Sequence, residues 1–584
     1  MNKKAGKIIA LLLIAALALS FAACGGQKTG KGTSSNTEQQ NSTVAEGSAS
    51  TTAKEELPEY VLSMYNSIGG TQEIPRSDLT KVGAIIKEKF NIVFNIQIVA
   101  GDYQEKCAIM LASGDYPELL GLNGDVMVQK YINADALIKL DDLVDKYGQN
   151  FKEFHKEAMP LWRSVSDDGG LYKYEFYNPN YVLAVGAQND IIVRSDLLEK
   201  QGWPELLSAD SYYEFIKESL KSSPETDGQK NLGLIMPGGA AYAWKYLYAT
   251  LLGKGGVNIL KGIGQVNLEK GAVESLFENP DVKDSLIFLN KLYKEGLLDP
   301  ECFTDSDQQI AEKLKKGKAV AALYTKWLSD SANAELRKNG KANMEYVPMS
   351  IRSDSQYNKK SPRYIPVIGS YAWCSMVITK KAKYPERIMK LLDWAATDEG
   401  QVALGWGIEG VHYTVDKNGM RTVTDEFRNG YSTNPNYLME QGITAFDFLG
   451  LTVAPGKNGQ INTCTLEPTF ISATLSDRAK EFLGKYGWNT LVDTWKKRNF
   501  EVKMYNNSML NLTIIDSTSD EGKIEAKINE LFNKNMPALI MAENDSKFNN
   551  LWDKLIVDAK ALGYDKVIEK YDTVYKENVK KYQK

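Results

Sequence analysis

At 584 residues the chain is too long for one hydrophobic core to be the favoured solution, so two or more lobes are expected. Lys plus Arg (70) nearly balance Asp plus Glu (74), a formal net charge of -4, so no global field draws the chain to nucleic acid or anionic lipid. With only two histidines, His155 and His412, and no HExxH, Cys/His cluster, GxSxG elbow, Walker loop or GxGxxG turn, the usual parts for zinc hydrolysis, hydrolase triads and nucleotide chemistry are missing. Glycoside hydrolysis needs only two carboxylates at a set spacing, and 74 acids leave it open.

In chain order, "MNKKAGK" is basic and Ile8 to Leu19 is an apolar run too short for a comfortable span, so residues 1–23 read as a signal peptide. "SFAAC" resembles a lipobox, which implies that Cys24 is diacylated and becomes the mature N-terminus. Residues 24–56 are polar and rich in Gly, Ser and Thr; they cannot bury enough apolar area to fold and read as a tether. From Tyr60 strands alternate with helices: "YVLSMYN", then "SDLTKVGAIIKEKF" opening on a Ser77 cap, "NIVFNIQIVA", "DYQEKCAIMLASG" and a buried strand in "YPELLGL". Such alternation implies a sheet covered by helices, with ligand beyond the carboxyl ends of the strands. Tyr65, Asn66, Asn123 and Asp125 lie at those ends.

"YVLAVGAQNDIIVRSDLLEKQGWP" and "YIPVIGSYAWCSMVITKKAKYPERIMKLLDWAA" share a strand-then-helix layout and read as crossings between lobes. Residues 57–186 are then the first part of lobe 1, 187–364 an inserted lobe 2, 365–475 the return of lobe 1 with its hinge, and 476–584 a helical region packing on the lobes. "DKNG" predicts an Asn-Gly hairpin after "GWGIEGVHYTV", with no EF-hand ladder of Asp and Asn. The four later cysteines, Cys107, Cys302, Cys374 and Cys464, are widely spaced and read as buried free thiols. His155, on the charged "FKEFHKEAM", reads as a surface residue.

The ordered phrases "ASGDYPELL", "NDIIVRSDLLEKQGWP", "LYKEGLLDPECF", "KLKKGKAVAA", "WGIEGVHYTVDKNG" and "ALIMAENDSKFNNLWDKLIVDAKALGYDKVIEKY" together resemble the extracellular solute-binding lipoproteins of bacterial carbohydrate ABC importers, of the maltose-binding-protein-like family. The resemblance implies a periplasmic-binding-protein-like α/β fold, two lobes joined by a hinge with the ligand cleft between them, and no catalytic residues. It implies an oligosaccharide ligand, the transmembrane subunits of an ABC permease and the lipid bilayer as partners, no nucleic acid, a monomer, and a place on the outer face of the cell membrane. A sugar presents a C–H face and a rim of hydroxyls, so its site wants flat rings and planar hydrogen-bonding groups. By order along the family pattern, Gln188 and Asn189 fall in the first crossing, Trp327 and Trp244 in the inserted lobe, and Trp373 in the return crossing. Tyr116, Trp162, Trp406 as a platform and Glu409 as an acceptor complete the candidate set, with His412 and Tyr413 shaping the loop. No cofactor is implied; relatives of this length sometimes hold a structural calcium, for which this sequence shows no assignable ligand ladder. A secreted glycosidase and a receptor for peptides or another solute stand as alternatives.

Overall fold

The computed structural model describes residues 58–582 except 67–72, 75, 99–102, 176–188, 237–256, 261, 368–373, 435, 498–500 and 507. The expected signal peptide, Cys24 and the expected tether lie outside the described residues.

The first sheet runs in the order Ile92–Ile98, Tyr60–Asn66, Leu119–Asn123, Cys374–Ile378, Tyr174–Glu175. Its first three strands are parallel, with Tyr60 opposite Ile92 and Asn66 opposite Ile98. Cys374–Ile378, arriving from far along the chain, runs antiparallel to both its neighbours. Side-chain alternation places Tyr60, Leu62 and Met64 in one core and Tyr65 in another, beneath the helices Tyr103–Ser113 and Asp125–Asn133. The helix after the first strand begins later than its Ser77 suggests. Ser77 Oγ accepts from Phe94 N–H (2.8 Å), and Thr80 caps the helix Lys81–Phe90 by accepting from Gly83 N–H (3.0 Å). Gly83 is required there, because a Cβ would stand 1.8 Å from the Ser77 carbonyl oxygen.

The second sheet runs Tyr346–Met349, Asn189–Arg194, Ala319–Thr325, Leu232–Ile235. Asn189–Arg194 is antiparallel to both neighbours, while Ala319–Thr325 is parallel to Leu232–Ile235. Its core continues through Pro280–Lys294 into the last three helices, Asp520–Ile540, Asp545–Leu562 and Tyr564–Tyr582, by way of Phe532, Trp552, Tyr564 and Tyr571. Asn290 fastens this junction, donating to the carbonyls of Ile540 (3.0 Å) and Ala542 (2.7 Å). The chain leaves the first sheet after Glu175, joins the second at Asn189 and rejoins the first at Cys374; between Phe470, in the first core, and Phe482, in the second, it crosses again. The result is two α/β lobes, each around its own sheet.

Candidate functional site

At the carboxyl end of the first sheet, Leu119–Asn123 turns through Gly124 (φ 80°) into the helix Asp125–Asn133. Gly124 makes the turn possible because the left-handed region is open to it. Asp125 is the first helical residue and Asn123 the last of the strand; both are half-buried. Behind them lies Lys173, fully buried, whose Nζ donates to Asp125 Oδ1 (2.7 Å), Glu175 Oε1 (2.8 Å) and Ser375 Oγ (3.2 Å). Burial alone would push the ammonium's pKa down, but Asp125 and Glu175 outweigh it and hold the pKa above its ordinary value. Lys173 and Glu175 were legible only as the i, i+2 pair in "YKYEF", which an extended chain points to one side.

In the second lobe, Ala319–Thr325 runs straight into the helix Lys326–Lys338, with Trp327 in its first turn; the side chain of Trp327 lies outside the described residues. Asp330, Ser331 and Ala334, one and two turns on, line a cavity of about 360 Å³. The facing wall comes from the first lobe: Tyr431 and Asn434 at the end of the helix Asp425–Thr433, and Phe470 in Pro468–Thr474. Tyr431 is stacked on Phe427 (13° between rings, 6.4 Å) and set edge-on to Phe470 (5.2 Å). Burial and the nearby Asp330 carboxylate push the Tyr431 hydroxyl pKa up. Arg337 ties the two walls, donating from Nε and Nη2 to the Ser432 carbonyl (3.2 Å each) while Nη1 lies 3.2 Å from Glu345 Oε1. Ser476, at the last crossing, donates to Glu345 Oε2 (2.6 Å). The cavity joins an aromatic face to hydroxyl, amide and charged groups within the size range of small-molecule sites.

Several sequence expectations are corrected. Trp406 is 1% exposed; its indole N–H donates to the Ile461 carbonyl (2.9 Å), the Arg421 guanidinium lies 5.0 Å over its ring, and Tyr413 meets its edge. It offers no face to a ligand and is core. Trp162 is likewise fully buried, against Phe151 and His155. Tyr65 is buried beneath two helices rather than open at the strand end, and burial raises its hydroxyl pKa to about 12. His155 is inside, not on the surface: its ring lies 4.6 Å from Phe151 and 5.0 Å from Trp162, and burial pushes its pKa down to about 3. Tyr116 is half-buried, edge-on to Tyr131 with the Lys381 ammonium 5.6 Å over its ring. Glu409 is exposed at the foot of the hairpin Tyr413–Val415/Arg421–Val423. His412 does shape this loop: Nδ1 accepts from Ile408 N–H (2.9 Å), so Nε2 carries the proton toward Gln441 Oε1 (3.2 Å). Gln188, Trp244 and Trp373 lie outside the described residues, as do the side chains of Asn66 and Asn189. Cys107, Cys302 and Cys464 are buried free thiols.

Asp299, Glu301 and Asp305 offer carboxylate oxygens within 4.8 Å of one another, a spacing that suits a cation. The cation among them is Lys313, whose Nζ lies 2.6 Å from Asp299 and 2.7 Å from Glu301 and also bonds Asp305. With an ammonium at its centre, the cluster does not fit a divalent ion. No helix among the described residues is long and apolar enough to cross a membrane.

Residues 80–402 match the family described as bacterial extracellular solute-binding protein. The chain is 22% identical over 320 residues to the fructooligosaccharide ABC transporter substrate-binding protein FusA of Streptococcus pneumoniae serotype 4 (strain ATCC BAA-334 / TIGR4), covering 53% of this chain and 56% of FusA. It is 21% identical over 331 residues to lipoprotein LipO of Bacillus subtilis (strain 168), covering 55% of this chain and 61% of LipO. The matches thus span little more than half the length of these curated relatives. In structure, the chain is similar to the FusA EF-hand mutant in complex with fructo-nystose (TM-score 0.62, 17% identity, 89% of this chain and 100% of that one). It is also similar to the alginate-binding protein AlgQ2 without calcium ion (TM-score 0.59, 18% identity, 89% and 98%). These likenesses show the fold: periplasmic-binding-protein-like, with two α/β lobes.

Proposed function

The chain belongs to the bacterial extracellular solute-binding proteins, and from that premise we propose that it captures an oligosaccharide between its two lobes and delivers it to an ABC import permease. The observation that carries this reading is the cavity between Lys326–Lys338 and the first lobe's helices, where the Tyr431 ring stands beside Asp330, Ser331 and Asn434. That combination suits a pyranose or furanose, whose C–H face seeks a ring and whose hydroxyls need both donors and acceptors. Trp327, at the head of the same helix, joins the site in this reading, as do Asn123 and Asp125 at the carboxyl end of the first sheet. FusA and AlgQ2, by their names a fructooligosaccharide ABC transporter substrate-binding protein and an alginate-binding protein, favour a glycan over a peptide.

The receptor is monomeric in this reading, held to the outer face of the cell membrane through a diacylated Cys24 and the tether of residues 24–56. LipO's description as a lipoprotein supports the anchor. Lobe 1 comprises 57–186 and 365–475, lobe 2 comprises 187–364, and 476–584 is a helical region packed on the lobes. It acts by closing on its ligand and leaving it intact, as a binding protein and not a glycosidase. Incubation of the soluble chain with kestose, a mannopentaose and an alginate oligomer tests this. A rise in melting temperature with the glycan recovered whole is expected. Cleavage products, or stabilisation by peptides alone, would overturn it.

A further inference from the structure

We infer that Lys173 is a positioning residue of the ligand cleft, holding Asp125 as a fixed acceptor for a neutral sugar unit at the carboxyl ends of the first sheet. This rests on the receptor reading above. Lys173 and Glu175 are both sealed from solvent, while the Asp125 side chain keeps 16% of its surface open. Of the three charged groups, only Asp125 therefore reaches the outside. An ammonium against one carboxylate would already be balanced. Glu175 draws on the same ammonium, so Lys173 is shared between two carboxylates, of which Asp125 is the one partly open to solvent.

Asp125 Oδ1 is pinned by Lys173 at 2.7 Å, whereas Oδ2 accepts no hydrogen bond from the described residues. The carboxylate cannot swing freely, because its partner is itself fixed by Glu175 and by Ser375 on the return strand. What remains is an acceptor-only oxygen on a side chain that keeps part of its surface open, in the first turn of Asp125–Asn133. Such an atom binds a ligand hydroxyl, which can donate, and repels a ligand carboxylate or sulfate, which cannot. The subsite beside Asp125 thus takes a neutral unit and rejects a uronate.

The test uses the soluble chain, with kestose and mannopentaose as neutral probes and an alginate oligomer as the acidic one, read by calorimetry and thermal shift. Asp125→Asn should weaken the neutral probe at least tenfold and raise the ratio of acidic to neutral affinity. Lys173→Met should weaken the neutral probe by a similar factor, and the double variant no further, since both act through one carboxylate. Lys173→Met leaves two carboxylates without their ammonium, so its fold will suffer. Lys173→Met/Glu175→Gln removes the sealed charge pair together; its melting temperature should recover while its affinity stays low. Affinity that returns with the melting temperature would make Lys173 merely structural and overturn the inference, as would neutral binding that survives Asp125→Asn. Binding of no glycan by the parent chain would overturn the receptor reading and this inference with it.

Discussion

Each lobe holds a lysine among carboxylates, and the two clusters differ in what they join. Lys313 draws together Asp299, Glu301 and Asp305, all within fourteen residues of it, and so fastens the turn Pro300–Phe303 to the helix Asp307–Lys315. Lys173 draws together Asp125, Glu175 and Ser375, which arrive on three segments as much as 202 residues away. The first is a local staple, 15% open to water; the second is a fully sealed tertiary junction with one exposed terminus. Similar chemistry thus serves a loop in one lobe and the meeting of distant strands with a helix in the other.

Removing either lysine sharpens that contrast. Lys173→Met should cost about 3–5 kcal/mol in urea unfolding, because it strands buried carboxylates. A loss below about 1 kcal/mol would mean that water reaches the junction. Trp406→Ala should cost a comparable ~3–5 kcal/mol through the cavity it leaves, with glycan affinity unchanged; a lost affinity at full stability would return Trp406 to the binding surface.

His155 provides a third, uncharged kind of junction. Its folded pKa, about 3, lies below the unfolded value near 6.5, so the neutral form stabilises the fold fully above pH 6.5. As pH falls below that, the unfolded chain binds the proton and stability should drop by about 1.4 kcal/mol per unit from this group. Comparison of His155→Phe with the parent between pH 7 and 5 checks the sign: the parent's extra slope should vanish. Smallest is Lys313→Met, about 1–2 kcal/mol, since its cluster is local and partly wet. With the ammonium gone, the three carboxylates are free to hold calcium, which should raise the variant's melting temperature and leave the parent's unchanged.

The alternation of strand and helix from Tyr60 to Asn123 was legible because each element carries its own period and stop signal. The Asn-Gly hairpin after Val415 was legible for the same local reason. The fates of the aromatic rings were not. Trp406 is claimed by a carbonyl 55 residues away, and Trp162 by rings of a neighbouring helix, so no local spelling distinguishes either from a platform. His155 misled for the opposite reason: charged neighbours in sequence say little when the residue that ends a helix turns inward. Lys173 escaped notice because its partners meet only after a distant strand joins the sheet.

Within Gly405–Thr414, the smallest side chain carries the tightest constraint. A Cβ on Gly405 would stand 2.0 Å from the Asn462 carbonyl oxygen, so the helix and the loop behind Trp406 touch backbone to backbone. In a saturation scan scored by secretion, position 405 should tolerate nothing but glycine, while position 406 accepts Phe or Tyr at reduced yield. Under the proposed function, directed variation aimed at changing ligand preference is better spent on Ser331, Asn434 and Tyr431, whose side chains line an opening.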